Sequence, residues 1–124
     1  MYNIYDMPGL LGLLFQNPIV FILVIAALVV SISIHEFSHA FLTKSLGDPT
    51  PEYQGRVTLN PKSHIDPLGL LFLIIGGFGW GRPVQYNEFN LKNPKRDRTL
   101  IALAGPVSNF VMAIVFSLLL NILD

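Results

Sequence analysis

The sequence predicts an all-α integral membrane protein with two full transmembrane helices, a re-entrant segment and a small β-hairpin or strand pair in the connecting section. Three observations predict it. Of 124 residues, 52% are hydrophobic and only 13% are charged, where soluble domains carry roughly a quarter charged residues. Two apolar runs, one after Asn17 and one closing the chain, are each long enough to cross a bilayer. All eight Lys and Arg residues, Lys44 through Arg98, lie between or at the edges of those runs.

The first run opens at Asn17-Pro18, where Asn caps free backbone N–H groups and Pro tolerates the first helical position. Ile19–Ile34 is apolar except for Ser31 and Ser33. The predicted helix continues through His35–Leu46 and stops at Gly47, a favoured residue just past a helix end. The last run, from about Thr99 to Leu123, carries small residues at Ala102, Ala104, Gly105, Ser108 and Ala113. Such residues let another helix approach closely, and Asn109 is placed to hydrogen-bond across the contact.

Between the runs, Gln54–Leu59 and Pro83–Tyr86 are predicted as short strands, with Asn60-Pro61 and Asn87 as turn signals. Leu68–Phe78 is apolar but only eleven residues long, too short to span, which suits a re-entrant segment. Asp66 is read as a cap or turn residue before Pro67, and Trp80 as an interfacial anchor. The whole of 1–124 is predicted as a single membrane domain, since the length suits one domain and not two. The basic residues place the connecting section in the cytoplasm and both termini outside by the positive-inside rule. A formal net charge of zero argues against nucleic acid as a partner. With no cysteine there are neither disulfides nor thiolate metal ligands.

The chemistry concentrates in His35-Glu36-Phe37-Ser38-His39. Histidines four apart leave the same face of a helix, so two imidazole nitrogens can reach one Zn2+ ion. Glu36 lies beside that pair, where a carboxylate can take a proton from activated water. An acidic residue at the middle of a membrane helix costs about 2.5–3.5 kcal/mol on insertion scales, so such groups are functional by default. The remaining histidine, His64, could fold back as a third ligand, but a structural or substrate-side hydrogen bond is the simpler reading.

Beyond His35–Ala40, three further blocks follow in order: Gly55–Gly69, Gly79–Asn87 and Ala104-Gly-Pro-Val-Ser-Asn109. Together they resemble the site-2 protease family of intramembrane zinc metalloproteases, particularly its short prokaryotic members. That resemblance implies proteolysis of membrane-embedded substrates, with His35 and His39 as zinc ligands and Glu36 as general base. It also implies residence in the cell membrane as a multi-pass protein, with membrane-protein substrates and the lipid bilayer as partners.

The family's third ligand is an aspartate in an Asn-x-x-Pro-x-x-x-Leu-Asp-Gly motif, which this sequence lacks. Asp124 follows Leu123 but has neither the glycine nor the Asn-x-x-Pro around it. The expectation is therefore a fragment or truncated relative whose third ligand comes from a further helix or another chain. The alternative is a catalytically incomplete relative with a structural or binding role.

Overall fold

The computed structural model of the chain describes Asn3 and residues 6–124. Among the described residues five α-helices follow one another: α1 (Leu11–Gln16), α2 (Pro18–Ser45), α3 (Thr50–Tyr53), α4 (Pro67–Gly76) and α5 (Pro94–Leu123). The 28 residues of α2 and the 30 of α5 are long and apolar enough to cross a membrane. Most of their apolar side chains lie open: Ile19 is 72% exposed on α2 and Ile122 78% exposed on α5. Among the described residues the buried hydrophobic core is no more than Ala40, Leu91 and Ile101. An apolar surface this extensive suits lipid as its solvent.

The helix interiors satisfy the same requirement. Ser33, Ser38 and Thr43 return their hydroxyls to the carbonyls of Val29, Ile34 and His39, at 2.7 Å in each case. Each hydroxyl is thereby satisfied within α2 itself.

The chain divides into two compact units, Met1–Ser33 with Asn60–Arg82, and Ile34–Leu59 with Pro83–Asp124. In the first, the Asn17 side chain accepts from Val20 N–H (3.2 Å) and starts α2. Asp66 Oδ1 accepts from Leu68 N–H (3.0 Å) and starts α4. Its other oxygen accepts from the Trp80 indole N–H at 2.9 Å, and the indole packs 5.3 Å from the Phe72 ring. Trp80 is thus held by the protein on both its polar and its apolar side. His64 is fully buried, and its carbonyl accepts from Arg82 N–H (2.8 Å).

In the second unit α2 ends in a Schellman motif. Gly47 N–H bonds the Lys44 carbonyl and Asp48 N–H the Thr43 carbonyl, both at 3.1 Å. Gly47 sits at φ +111°, a backbone conformation open to glycine and strained for other residues. Asp48, fully buried, then accepts from Thr50 N–H (3.0 Å), Thr50 Oγ1 (2.6 Å), Asn87 N–H (2.6 Å) and Asn90 Nδ2 (3.0 Å). One carboxylate therefore ties the end of α2 to the 3-10 turn Glu88–Asn90 that precedes α5.

The predicted strand pair is not found: among the described residues there is no strand, and one isolated antiparallel bridge joins Ile65 and Gly81. The reason lies in where the backbone bonds go. Gly55 N–H and Arg56 N–H turn back onto Glu52 and Pro51. Pro83 has no N–H to give a ladder. Its carbonyl is instead held by Arg56 Nη1 at 3.1 Å. The turn signals themselves are correct, since Asn60 and Asn87 each cap a 3-10 turn with the side chain. The last helix also begins earlier than expected. Asn93-Pro94 repeats the Asn-Pro start of α2, and Asp97 Oδ2 accepts from Asn93 N–H (3.2 Å) to close the first turn.

Burial alone would push the Asp48 carboxyl up, but its four hydrogen bonds outweigh that and hold it below the usual carboxylate range. A depressed folded-state pKa means the stabilisation is present above an unfolded value of ~3.9. It is lost as pH falls through the folded value. Asp48→Ala should cost about 3 kcal/mol, the scale of hydrogen bonds to a buried charge, read from unfolding in detergent. It should also flatten the acid limb of the stability curve. A loss below about 0.5 kcal/mol, the range of surface substitutions, would show that the carboxylate does not hold this junction.

Candidate metal centre

His35, Glu36 and His39 all lie on α2 within the second unit, and α5 supplies the surface facing the two imidazoles. The ring nitrogens His35 Nε2 and His39 Nε2 approach to 3.1 Å. Two imidazoles bound tetrahedrally to one zinc at ~2.0–2.1 Å have nitrogens roughly 3.3–3.4 Å apart. The observed pair is within a few tenths of an ångström of that.

Gly105 lets the backbone of α5 pack closely against both ring nitrogens. A Cβ built there would fall 2.5 Å from His35 Nε2 and 2.6 Å from His35 Cε1, and still closer to His39 Nε2. Any residue larger than glycine at this position would press on both rings. Two imidazole nitrogens at this separation are a donor pair of the kind zinc takes. Among the described residues, however, no group of three or more His, Cys, Asp or Glu side chains could hold a metal. His64 and Asp124 accordingly join no such group.

The far ring nitrogens are also engaged by α5. His39 Nδ1 lies 2.6 Å from the Ile101 carbonyl, and His35 Nδ1 lies 3.0 Å from Asn109 Nδ2. Ile101, Gly105 and Asn109 are spaced four apart, so they present one face of α5. Second partners of this kind fix ring orientation and tautomer in metal sites.

Glu36 opens onto a cavity of about 210 Å³, shared with His39, Val84, Tyr86, Arg98 and Ala102. Arg98, at the rim, is ion-paired to Glu88 at 3.3 Å.

Reasoning from sequence brought out the two histidines, the carboxylate, the close-packing potential of Gly105 and the cross-helix potential of Asn109. It missed that these meet at a single place, and it missed the Ile101 carbonyl. The four-residue spacing of Ile101, Gly105 and Asn109 was the available signal. A backbone carbonyl has no residue type to betray it.

Gly105→Ala tests this packing. Alanine favours helix over glycine, so α5 should persist while the methyl group presses on both imidazoles. Overpacking of about 1–3 kcal/mol corresponds to a roughly tenfold to hundredfold loss of zinc affinity, measured by calorimetry with helicity followed by circular dichroism. Unchanged affinity would place the metal elsewhere.

Residues 23–123 match the family described as Peptidase family M50. YwhC of Bacillus subtilis, named a zinc metalloprotease, is 42% identical over 91 residues, covering 73% of this chain and 42% of that protein. Rip2 of Mycolicibacterium smegmatis, with the same designation, is 41% identical over 100 residues, covering 77% of this chain and 38% of its own length. Rip2 of Mycobacterium tuberculosis is 37% identical over 100 residues, with shares of 76% and 38%. The chain thus spans about two fifths of the length of these curated relatives. No solved structure matches. With the match running from within α2 to the end of α5, the chain belongs to peptidase family M50.

Proposed function

We propose that this chain carries the histidine and glutamate part of the active site of a zinc-dependent intramembrane protease. The observation that supports it most is the approach of His35 Nε2 to His39 Nε2 at 3.1 Å, near the separation of two ligands on one zinc, beside Glu36 on a helix built for lipid. His35 and His39 hold the zinc, which when bound supplies Lewis acidity at a carbonyl and lowers the pKa of water toward 7.

Glu36 then acts as general base. Its carboxylate takes a proton from the attacking water and returns it to the departing amine, the work expected of a carboxylate at such a site. The cavity beside it is where a stretch of substrate main chain enters. A peptide bond inside a helix is wrapped by its own hydrogen bonds, so the substrate unwinds locally before cleavage.

Two histidines leave a catalytic zinc one protein ligand short of the usual three. A further helix or chain supplies that ligand in this reading. The 124 residues form one membrane domain, α4 is re-entrant, and membrane proteins are the substrates. The basic connecting section lies in the cytoplasm and both termini outside. A second reading, a catalytically incomplete relative with a binding role, draws on the absence of a three-residue ligand group among the described residues. Zinc content of the purified protein separates the two.

In the full-length protein, Glu36→Gln should leave zinc bound and lower cleavage of a membrane substrate by about 10²–10⁴-fold, the span of general acid–base catalysis. Retained turnover would remove the assigned role. For orientation, cysteines introduced at Thr50 or Asn90 should stay unlabelled by membrane-impermeant reagents in intact cells. Labelling from outside would invert the topology.

A further inference from the structure

Two half-exposed basic side chains of the second unit are matched to carboxylates, Lys44 to Glu52 at 3.1 Å and Arg98 to Glu88 at 3.3 Å. Around the start of α5 the balance differs. Lys92 and Lys95 are exposed and have no acidic partner among the described residues. Arg96 is held by the buried Asp97, giving Nε at 3.2 Å and Nη2 at 3.1 Å to one carboxylate oxygen. Its Nη1 has no acceptor among the described residues. Three cationic groups thus stand against one carboxylate, an excess of two positive charges.

These groups border an open hollow of about 670 Å³, together with Asn93, Thr99 and Leu100. A second hollow, of about 440 Å³, adjoins it: Lys95 and Thr99 border both, and Leu103 borders the second. Further along α5 the chain turns apolar while staying open, with Leu100, Leu103 and Val107 all exposed. Arg96, Leu100, Leu103 and Val107 are spaced four, three and four apart, so they share one face of the helix. At 3.6 residues per turn, Leu103 lies roughly 200° round α5 from Ile101. The stripe is therefore turned away from the imidazoles and shares no residue with the metal centre.

We infer that this stripe binds one anionic phospholipid: Lys92, Lys95 and the unused edge of Arg96 hold the phosphate, and an acyl chain lies along Leu100, Leu103 and Val107. The inference rests on α5 spanning the bilayer and is independent of the zinc reading. Clusters of four or more basic residues beside a span attract anionic lipid, and Lys92, Lys95, Arg96 and Arg98 are four within seven positions. Excess positive charge at one end and open apolar surface below it match the two parts of such a lipid, in the order a bilayer imposes. A zwitterionic lipid brings its own cation to the phosphate and gains little from that excess. A soluble phosphate would meet the cations but leave the apolar stripe uncovered.

The test is native mass spectrometry of the chain in detergent, offered an equimolar mixture of dioleoyl phosphatidylglycerol and dioleoyl phosphatidylcholine. Reconstitution into nanodiscs of each lipid checks insertion separately. One phosphatidylglycerol should be retained per chain, in preference to phosphatidylcholine. Each lysine beside an anionic lipid counts for about fivefold in affinity. The Lys92→Gln, Lys95→Gln variant should therefore bind phosphatidylglycerol roughly twentyfold more weakly. The Lys44→Gln, Lys62→Gln variant removes the same charge from other positions and should keep the parental preference.

Equal retention of the two lipids by the parent would overturn the inference. So would equal losses in the two double variants, which would reduce the effect to net charge. Displacement of the lipid by inorganic phosphate at the same concentration would make this a site for a free anion, and would overturn it too. A chain that inserts into nanodiscs of neither lipid would instead overturn the membrane reading on which the inference stands.

Discussion

The missing Cβ of Gly105 is the constraint on which the site depends. It lets the backbone of α5 come up against the imidazoles of His35 and His39, so that a carbonyl and an amide on the same face can reach their outer nitrogens. With a larger residue at that position, the rings would have to swing away from each other or from α5. Either movement breaks a hydrogen bond in a helix meant for a low-dielectric surrounding, where an unsatisfied polar group is costly. Close packing and polar satisfaction are here the same requirement. The small-residue stripe on α5 answers to the polar face of α2.

The second requirement is met outside the apolar segments. Asp48 gathers four donors from the Asp48–Thr50 turn and from Asn87 and Asn90. It follows directly on the Schellman end of α2, and the turn it binds leads into the Asn93-Pro94 start of α5. Within this unit the histidine-bearing end of one helix and the approach to the next are therefore pinned by a single buried charge. Burying a carboxylate is tolerable only when its lone pairs are filled, and here they are.

What was legible in the sequence followed from local rules. Asn17-Pro18, Gly47, Asp66, Asn60 and Asn87 each act through bonds made within a few residues, and each does what its type suggests. The helical spacing of His35 and His39 likewise needs no distant partner. The strand pair failed for the opposite reason. Strand identity is decided by the partner backbone, and Gly55 and Arg56 spend their N–H groups on a local turn while Pro83 has none. Gly105 and Asn109 were visible as residue types able to pack and to bond across helices. That they both address the histidines is a tertiary fact, and so is the part played by the Ile101 carbonyl.

The central claim is that two α2 imidazoles hold a zinc ion against the backbone of α5. X-ray absorption at the zinc edge tests it most directly, on purified protein and on the His35→Ala, His39→Ala double variant. The account predicts a first shell containing two imidazole nitrogens at ~2.0–2.1 Å in the parent, with that imidazole signal absent from the double variant. An identical zinc shell in both proteins, or a parent that retains no zinc at all, would contradict it.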